Sequence, residues 1–130
     1  VCSSDLGDYS LPNGFTIEGY MGIGNRAFTL GFIQEALLMY ENAIAKGPAN
    51  AQLYFGKGVI LSKMLRHNDA IQAYSNCIQL DPFMADAYVN RGNEYSQLKL
   101  WNLALQDYQD ALKIDPHNEM AKHNIRELNK

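Results

Sequence analysis

Basic charge is scarce in this chain of 130 residues: Lys and Arg number 11 against 14 Asp and Glu, a formal charge of −3. A protein that lives on phosphate contacts carries a basic surplus or a basic face. No run of Lys or Arg supplies one, so nucleic acid is not an expected partner. Long apolar runs are missing too. Polar residues interrupt every hydrophobic stretch within a few positions, far short of the ~20 apolar residues that cross a bilayer, so no membrane-spanning helix is expected. The 2 cysteines, Cys2 and Cys77, are too few for a disulfide framework and lack metal-ligand spacing. His67, His117 and His123 show no i,i+4 pairing and have no cysteine beside them, which argues against metal ligation and suggests loop or surface positions.

The remaining composition is that of a globular domain, 47% hydrophobic and 19% charged. A chain of this length makes one domain and buries roughly two-thirds of its unfolded surface, enough for a core without covalent staples. Residues 1–6 are set apart. They back-translate into a string resembling the end of a common sequencing-library adapter, and are expected to be a non-native scar. On that reading Cys77 is the one genuine cysteine and natural sequence lies further upstream. Residues 7–16, with Pro12 and Asn13-Gly14, read as a loop or a remnant of that upstream sequence.

A period of 34 organises the rest: Pro48, Pro82 and Pro116 recur at that interval, as do Gly24, Gly58 and Gly92. Tyr20, Tyr54 and Tyr88 follow the same spacing, and so do Ala36, Ala70 and Ala104, and Tyr40, Tyr74 and Tyr108. Internal repetition of this kind is the signature of a stacked array. The repeats run over residues 17–50, 51–84 and 85–118, and residues 119–130 open a further period.

Each repeat reads as two antiparallel helices. In the third, Ala87, Tyr88, Tyr95 and Leu98 mark the apolar side of a first helix, and Leu105, Tyr108 and Leu112 that of a second. Asp115-Pro116 stops the second helix, because proline disfavours helical geometry in the residue before it and has no N–H to donate. Asp81-Pro82 and Gly47-Pro48 do the same. Short turns at Leu30-Gly31, Leu65-Arg66-His67 and Lys99-Leu100 join the helices of each pair. A glycine inside a helix costs about 1 kcal/mol against alanine, so Gly24, Gly58 and Gly92 need a packing reason. The expectation is that they face Ala36, Ala70 and Ala104, small against small, so that the helices approach closely.

These residues carry a resemblance to the tetratricopeptide repeat family, whose pattern sets an aromatic, Gly, Ala, an aromatic, Ala and Pro at fixed offsets. The third repeat matches with Tyr88, Gly92, Tyr95, Ala104, Tyr108, Ala111 and Pro116. The second matches with Tyr54, Gly58, Ala70, Tyr74 and Pro82, with Cys77 in place of an alanine. The first matches with Tyr20, Gly24, Ala36, Tyr40, Ala43 and Pro48. Ala27 and Leu61 depart from the second aromatic, and Leu65 stands in a turn that often holds glycine. The resemblance implies an all-α, right-handed superhelical solenoid of three repeats. Ala121, Ile125 and Leu128 give residues 119–130 one apolar face, that of a capping helix.

Catalytic motifs fail one by one. Gly19, Gly22 and Gly24 hint at a phosphate loop, but they lie inside a helix with no strand before it. Cys77 occupies a small core position, where a thiol is inert. Asp107 and Asp110 are expected on a solvated face, and Trp101 is expected to pack. No nucleophile–base set emerges, so neither an enzyme nor a cofactor is expected.

The resemblance implies a peptide groove lined by first helices. Its positions would be Glu18, Met21, Asn25 and Phe28 from the first repeat, and Gln52, Phe55, Val59 and Ser62 from the second. Asp86, Val89, Asn90, Asn93 and Ser96 come from the third. One subset of the family grips chaperone C-terminal carboxylates with Lys and Arg beside Asn. Here Met21, Phe55 and Val89 replace the first clamp lysine and Asp86 another cation. The expected partner is therefore a protein or peptide segment, neutral or mildly basic, with apolar anchors. The alternative is a structural or regulatory segment of a longer array, or of an enzyme whose catalytic part is absent from this sequence, with an exposed first repeat that self-associates. Cellular location is not legible, the cytoplasm being only the default.

Overall fold

The computed structural model describes residues 15–130, so the expectations for the adapter-like segment and for Pro12 and Asn13-Gly14 lie outside the described residues. Seven helices follow: α1 (Ile17–Thr29), α2 (Ile33–Lys46), α3 (Ala51–Lys63), α4 (His67–Leu80), α5 (Ala85–Gln97), α6 (Trp101–Ile114) and α7 (Glu119–Leu128). No strand occurs among the described residues. Consecutive helices pack on one another, and α3 also touches α5, which brings first helices of neighbouring repeats side by side. The result is an all-α solenoid of helix pairs.

The same chemistry begins and ends the helices at the same phase. Thr16, Asn50 and Asn118 precede α1, α3 and α7, and each side-chain oxygen accepts a backbone N–H three residues on, at 2.9–3.0 Å. Met84 occupies this place before α5 and forms no such cap. There Asp86 puts a negative charge in the first turn, which suits the positive end of the helix. Asp81 and Asp115 end α4 and α6, each accepting the N–H two residues on at 3.1 Å, so the Asp-Pro pairs act as side-chain-bonded turns as well as helix stops.

First helices end in a Schellman turn, with bonds Phe32 N–H to Ala27 O, Arg66 N–H to Leu61 O and Leu100 N–H to Tyr95 O of 2.8–3.0 Å. The residue that turns the chain has positive φ each time: Gly31 at 90°, Leu65 at 61° and Lys99 at 61°. Only the first is a glycine.

The glycines receive tyrosine rings, not the alanines expected opposite them. A Cβ on Gly24 would stand 2.9 Å from the Tyr40 ring, one on Gly58 2.5 Å from Tyr74, and one on Gly92 2.7 Å from Tyr108. A tyrosine of each second helix thus fills the slot left by the smallest residue of the first. Tyr40 also presses on Gly56 of the following repeat. Around these rings Ala36, Ala43, Ala70, Ala73, Ala104, Ala111 and Cys77 are buried. Burial, then the nearby Asp81 carboxylate, push the Cys77 thiol up to about 11, so it stays protonated at neutral pH.

At the two ends, Phe15 stacks edge-on against Tyr20, with centroids 5.3 Å apart, and Ala121, Ile125 and Leu128 of α7 close the core of the third repeat.

Candidate functional site

Two cavities lie along the first helices and meet at Val59. The smaller, about 270 Å³, is lined by Met21, Asn25, Phe28, Tyr40, Gln52, Phe55, Gly56, Val59 and Ile60. Its walls are aromatic and aliphatic with two amides. Phe55 is half-buried and held edge-on against Tyr74, with centroids 5.9 Å apart. The larger, about 640 Å³, is bounded by α3, α5 and α7 and by the starts of α4 and α6. Val59, Ser62, Leu65, His67, Asn90, Asn93, Glu94, Ser96, Gln97, Trp101, Asn124, Glu127 and Leu128 line it, with Tyr74 and Tyr108 behind.

The tyrosines also order the amides. The Tyr40 hydroxyl donates to Asn25 Oδ1, and the Tyr108 hydroxyl to Asn93 Oδ1 at 2.7 Å. In the second repeat Val59 takes the place of that asparagine, and Tyr74 bonds Asn90 of the next repeat instead. Asn124 stands in α7 at the phase of Asn90, hydrogen-bonds Tyr108, and donates to Asn93 Oδ1 at 2.8 Å. Burial first, then the Glu94 carboxylate, push the Tyr74 phenol far up, so it is neutral at physiological pH.

A buried carboxylate sits at the floor of the larger cavity. Glu94 is 4% exposed, accepts from Ser62 Oγ at 2.6 Å, and lies 2.7 Å from His67 Nδ1. His67 is accordingly half-buried and partnered, not loose on the surface as its sequence context suggested. Trp101, expected to pack, stands 52% exposed at the cavity edge.

Asp107 also differs from expectation. It is 3% exposed, and Arg91 grips it with two N–H···O bonds of 2.8 Å while donating to Ser75 on α4 at 3.1 Å. Burial raises the Asp107 carboxyl against the pull of Arg91, whose guanidinium also stacks over Tyr88 and Tyr95. This pair ties the repeats together and lines neither cavity. Asp110 is the more accessible of the two aspartates and meets Gln106 and Lys113.

Of the ten residues expected to bind, the structure gathers Met21, Asn25, Phe28, Gln52, Phe55 and Val59 around the smaller cavity, and Asn90 and Asn93 join Val59 at the larger. Asp86 is exposed and lines neither. Val89 is a correction: it is 3% exposed and packs in the core of the third repeat. At the same phase the longer Met21 and Phe55 reach a cavity, whereas valine stops short of it. Glu94, His67, Trp101, Glu127 and Leu128 were not foreseen at the site. Asn124 was within reach, since it falls one period of 34 after Asn90.

A solenoid of helix pairs with continuous cavities along one side is a protein-interaction module. Tetratricopeptide repeat profiles match residues 21–63, 51–83 and 85–118, and the chain belongs to the tetratricopeptide repeat family. Comparison with curated proteins finds no match. Among solved structures, the TPR domain of Arabidopsis OM64 is similar at 25% identity, with a TM-score of 0.84 over 88% of this chain and 94% of that one. The second TPR domain of human RPAP3, solved in complex with the HSP70 peptide SGPTIEEVD, is 27% identical, with a TM-score of 0.81 over 85% and 92%. The first TPR of Spaghetti (RPAP3), bound to the HSP90 peptide SRMEEVD, shares the fold at 22% identity and TM-score 0.84, over 88% and 90%.

Proposed function

We propose that the chain is a non-catalytic adaptor that holds an extended peptide segment of a partner protein across its two cavities. The observation that carries this reading is the line of side chains from all three repeats and α7 that forms one continuous lining through Val59. The complex of the RPAP3 domain with a chaperone peptide supports the ligand type.

The lining argues for a different peptide, however. No Lys or Arg borders either cavity, so an acidic tail meets no counter-charge there and faces Glu94 and Glu127. Apolar anchors suit the smaller cavity. The amide groups of Asn25, Gln52, Asn90 and Asn93 carry donors and acceptors able to hold a main chain without reading its side chains. A neutral or mildly basic segment with spaced Leu, Met or aromatic residues is the ligand of choice.

A peptide array probed with the 130-residue chain, repeated at raised salt, tests this. Phe55→Ala is expected to weaken the best binders by about 1 kcal/mol or more, as loss of a buried anchor does. Preference for acidic tails, or indifference to Phe55→Ala combined with Asn93→Ala, would overturn the reading.

The second reading, stacking of the first repeat on another repeat or copy, is favoured by Ile23 and Leu38. They are 39% and 47% exposed at phases where later repeats carry Lys57 and Gln72, then Arg91 and Gln106. Sedimentation that stays monomeric at high concentration would remove self-association.

A further inference from the structure

We infer that the larger cavity is a subsite for a basic side chain, the lysine or arginine of a bound peptide whose apolar anchor fills the smaller cavity. This rests on the peptide-binding reading and adds a chemical class to one position of the ligand. The two cavities are unlike: the smaller has Met21, Phe28 and Phe55 in its wall and no ionisable carboxylate, whereas the larger has two carboxylates, Glu94 and Glu127, and no Lys or Arg, with His67 the one basic side chain in its wall.

Glu94 is fixed before any ligand arrives. Ser62 Oγ and His67 Nδ1, from α3 and α4, hold one carboxylate oxygen each, so its charge is aimed without further ordering. Two partners leave lone pairs unused on a carboxylate that accepts about four bonds. Glu94 is itself buried, and a fixed charge with little water around it acts more strongly than one on an open surface. Glu127 lies at the mouth, kept ionised by Lys130, which holds its carboxyl below the ordinary value and stands 2.9 Å away. That lysine is an exposed neighbour and not part of the lining.

The remaining walls suit the rest of such a side chain. Ser96, Gln97 and Asn124 offer oxygens that replace the water stripped from an ammonium or guanidinium. Leu65, Leu128 and the exposed indole of Trp101 offer apolar cover for the methylene stem, and the indole face attracts a cation.

Trp101 is the 1 tryptophan of the chain, so its indole N–H resonance reports on this cavity alone. The experiment titrates the whole chain with N-acetyl-arginine methylamide and N-acetyl-lysine methylamide, with the norleucine and glutamate analogues as controls. The basic probes are expected to shift the resonance saturably and less at raised salt, and the controls to leave it in place. Glu94→Gln is expected to weaken the response at least fivefold. Glu127→Lys, a change at an exposed residue that does not depend on the buried network, is expected to weaken it severalfold. A norleucine or glutamate response equal to that of arginine, or arginine binding unchanged in Glu127→Lys, overturns the subsite. The larger reading fails separately: if array peptides bind and respond to Phe55→Ala while Trp101 ignores the basic probes, only the subsite is wrong.

Discussion

Tyr40, Tyr74 and Tyr108 each carry a ring into a slot that only a glycine leaves open. A side chain added there meets the ring itself, and all three rings are buried. Gly58→Ala is therefore expected to destabilise by about 1–3 kcal/mol, the usual penalty of overpacking. Gly22 is the control, because a Cβ there meets nothing within 4 Å. Gly22→Ala is expected to stabilise by about 0.5–1 kcal/mol through the better helix propensity of alanine. Urea denaturation of the two variants checks both signs, and equal effects would remove the ring-in-slot account. Arg91 and Asp107 allow a second contrast. Arg91→Met leaves a buried carboxylate unpaired and is expected to cost about 3–5 kcal/mol, whereas Arg91→Met with Asp107→Leu should recover most of the loss. Burial already raises the Asp107 carboxyl, and without Arg91 that effect stands unopposed. The folded single variant then binds the proton more tightly than the unfolded chain, so its deficit should shrink as pH falls below the folded value and grow as pH rises through it. A deficit that grows on acidification would contradict this sign.

Element boundaries show how far the sequence could be read. Proline stops and the recurring tyrosines and glycines stand at fixed distances, so local chemistry and period agree and the seven helices were open to reading. Glu94 and Asp107 were not. Their counterparts are Ile60 and Ala73 in the second repeat and Arg26 and Met39 in the first, so the period gives no hint of a buried carboxylate at either phase. What allows them is distant: Ser62 and His67 for Glu94, Arg91 for Asp107. Such partners are brought together only by the packed fold. Val89 failed for a related reason, since phase predicts direction along a helix but not how far a short side chain reaches. The turn after α3 was legible as an anomaly: Leu65 has φ 61° where Gly31 relaxes the same turn. Left-handed backbone costs a residue with a Cβ about 1–2 kcal/mol, and glycine gives back part of that through chain entropy. Leu65→Gly is expected to raise Tm by a few degrees in calorimetry, and a fall would mean that the exposed Leu65 side chain contributes packing that outweighs the strain.

At the scale of the molecule, each helix leans mainly on its neighbours in sequence, so stability is distributed along a line. The middle of the line is held from both sides: Lys57 reaches back to Glu41 at 3.6 Å, Arg91 reaches back to Ser75, and Glu94 joins α5 to α3 and α4. The last helix, α7, has a neighbour on one side among the described residues and buries one residue, Ala121, completely. Amide exchange should accordingly be slowest in α4 and α5 and fastest in α7. Uniform protection from α4 through α7 would indicate all-or-none opening instead.

The contact between Tyr40 and Gly56 carries a consequence for how such a chain can change over generations. Tandem repeats invite duplication and exchange of whole cassettes, and a shared period makes every cassette look equivalent. Here the seams are individual: Tyr40 meets Gly56, Tyr74 meets Asn90, and Tyr108 meets Asn124. Moving the third cassette next to the first would set Asn90 where not even a methyl group fits beside the Tyr40 ring. The order of repeats is thus written into their joints, and recombination that preserves the period without preserving the neighbours yields chains that cannot close.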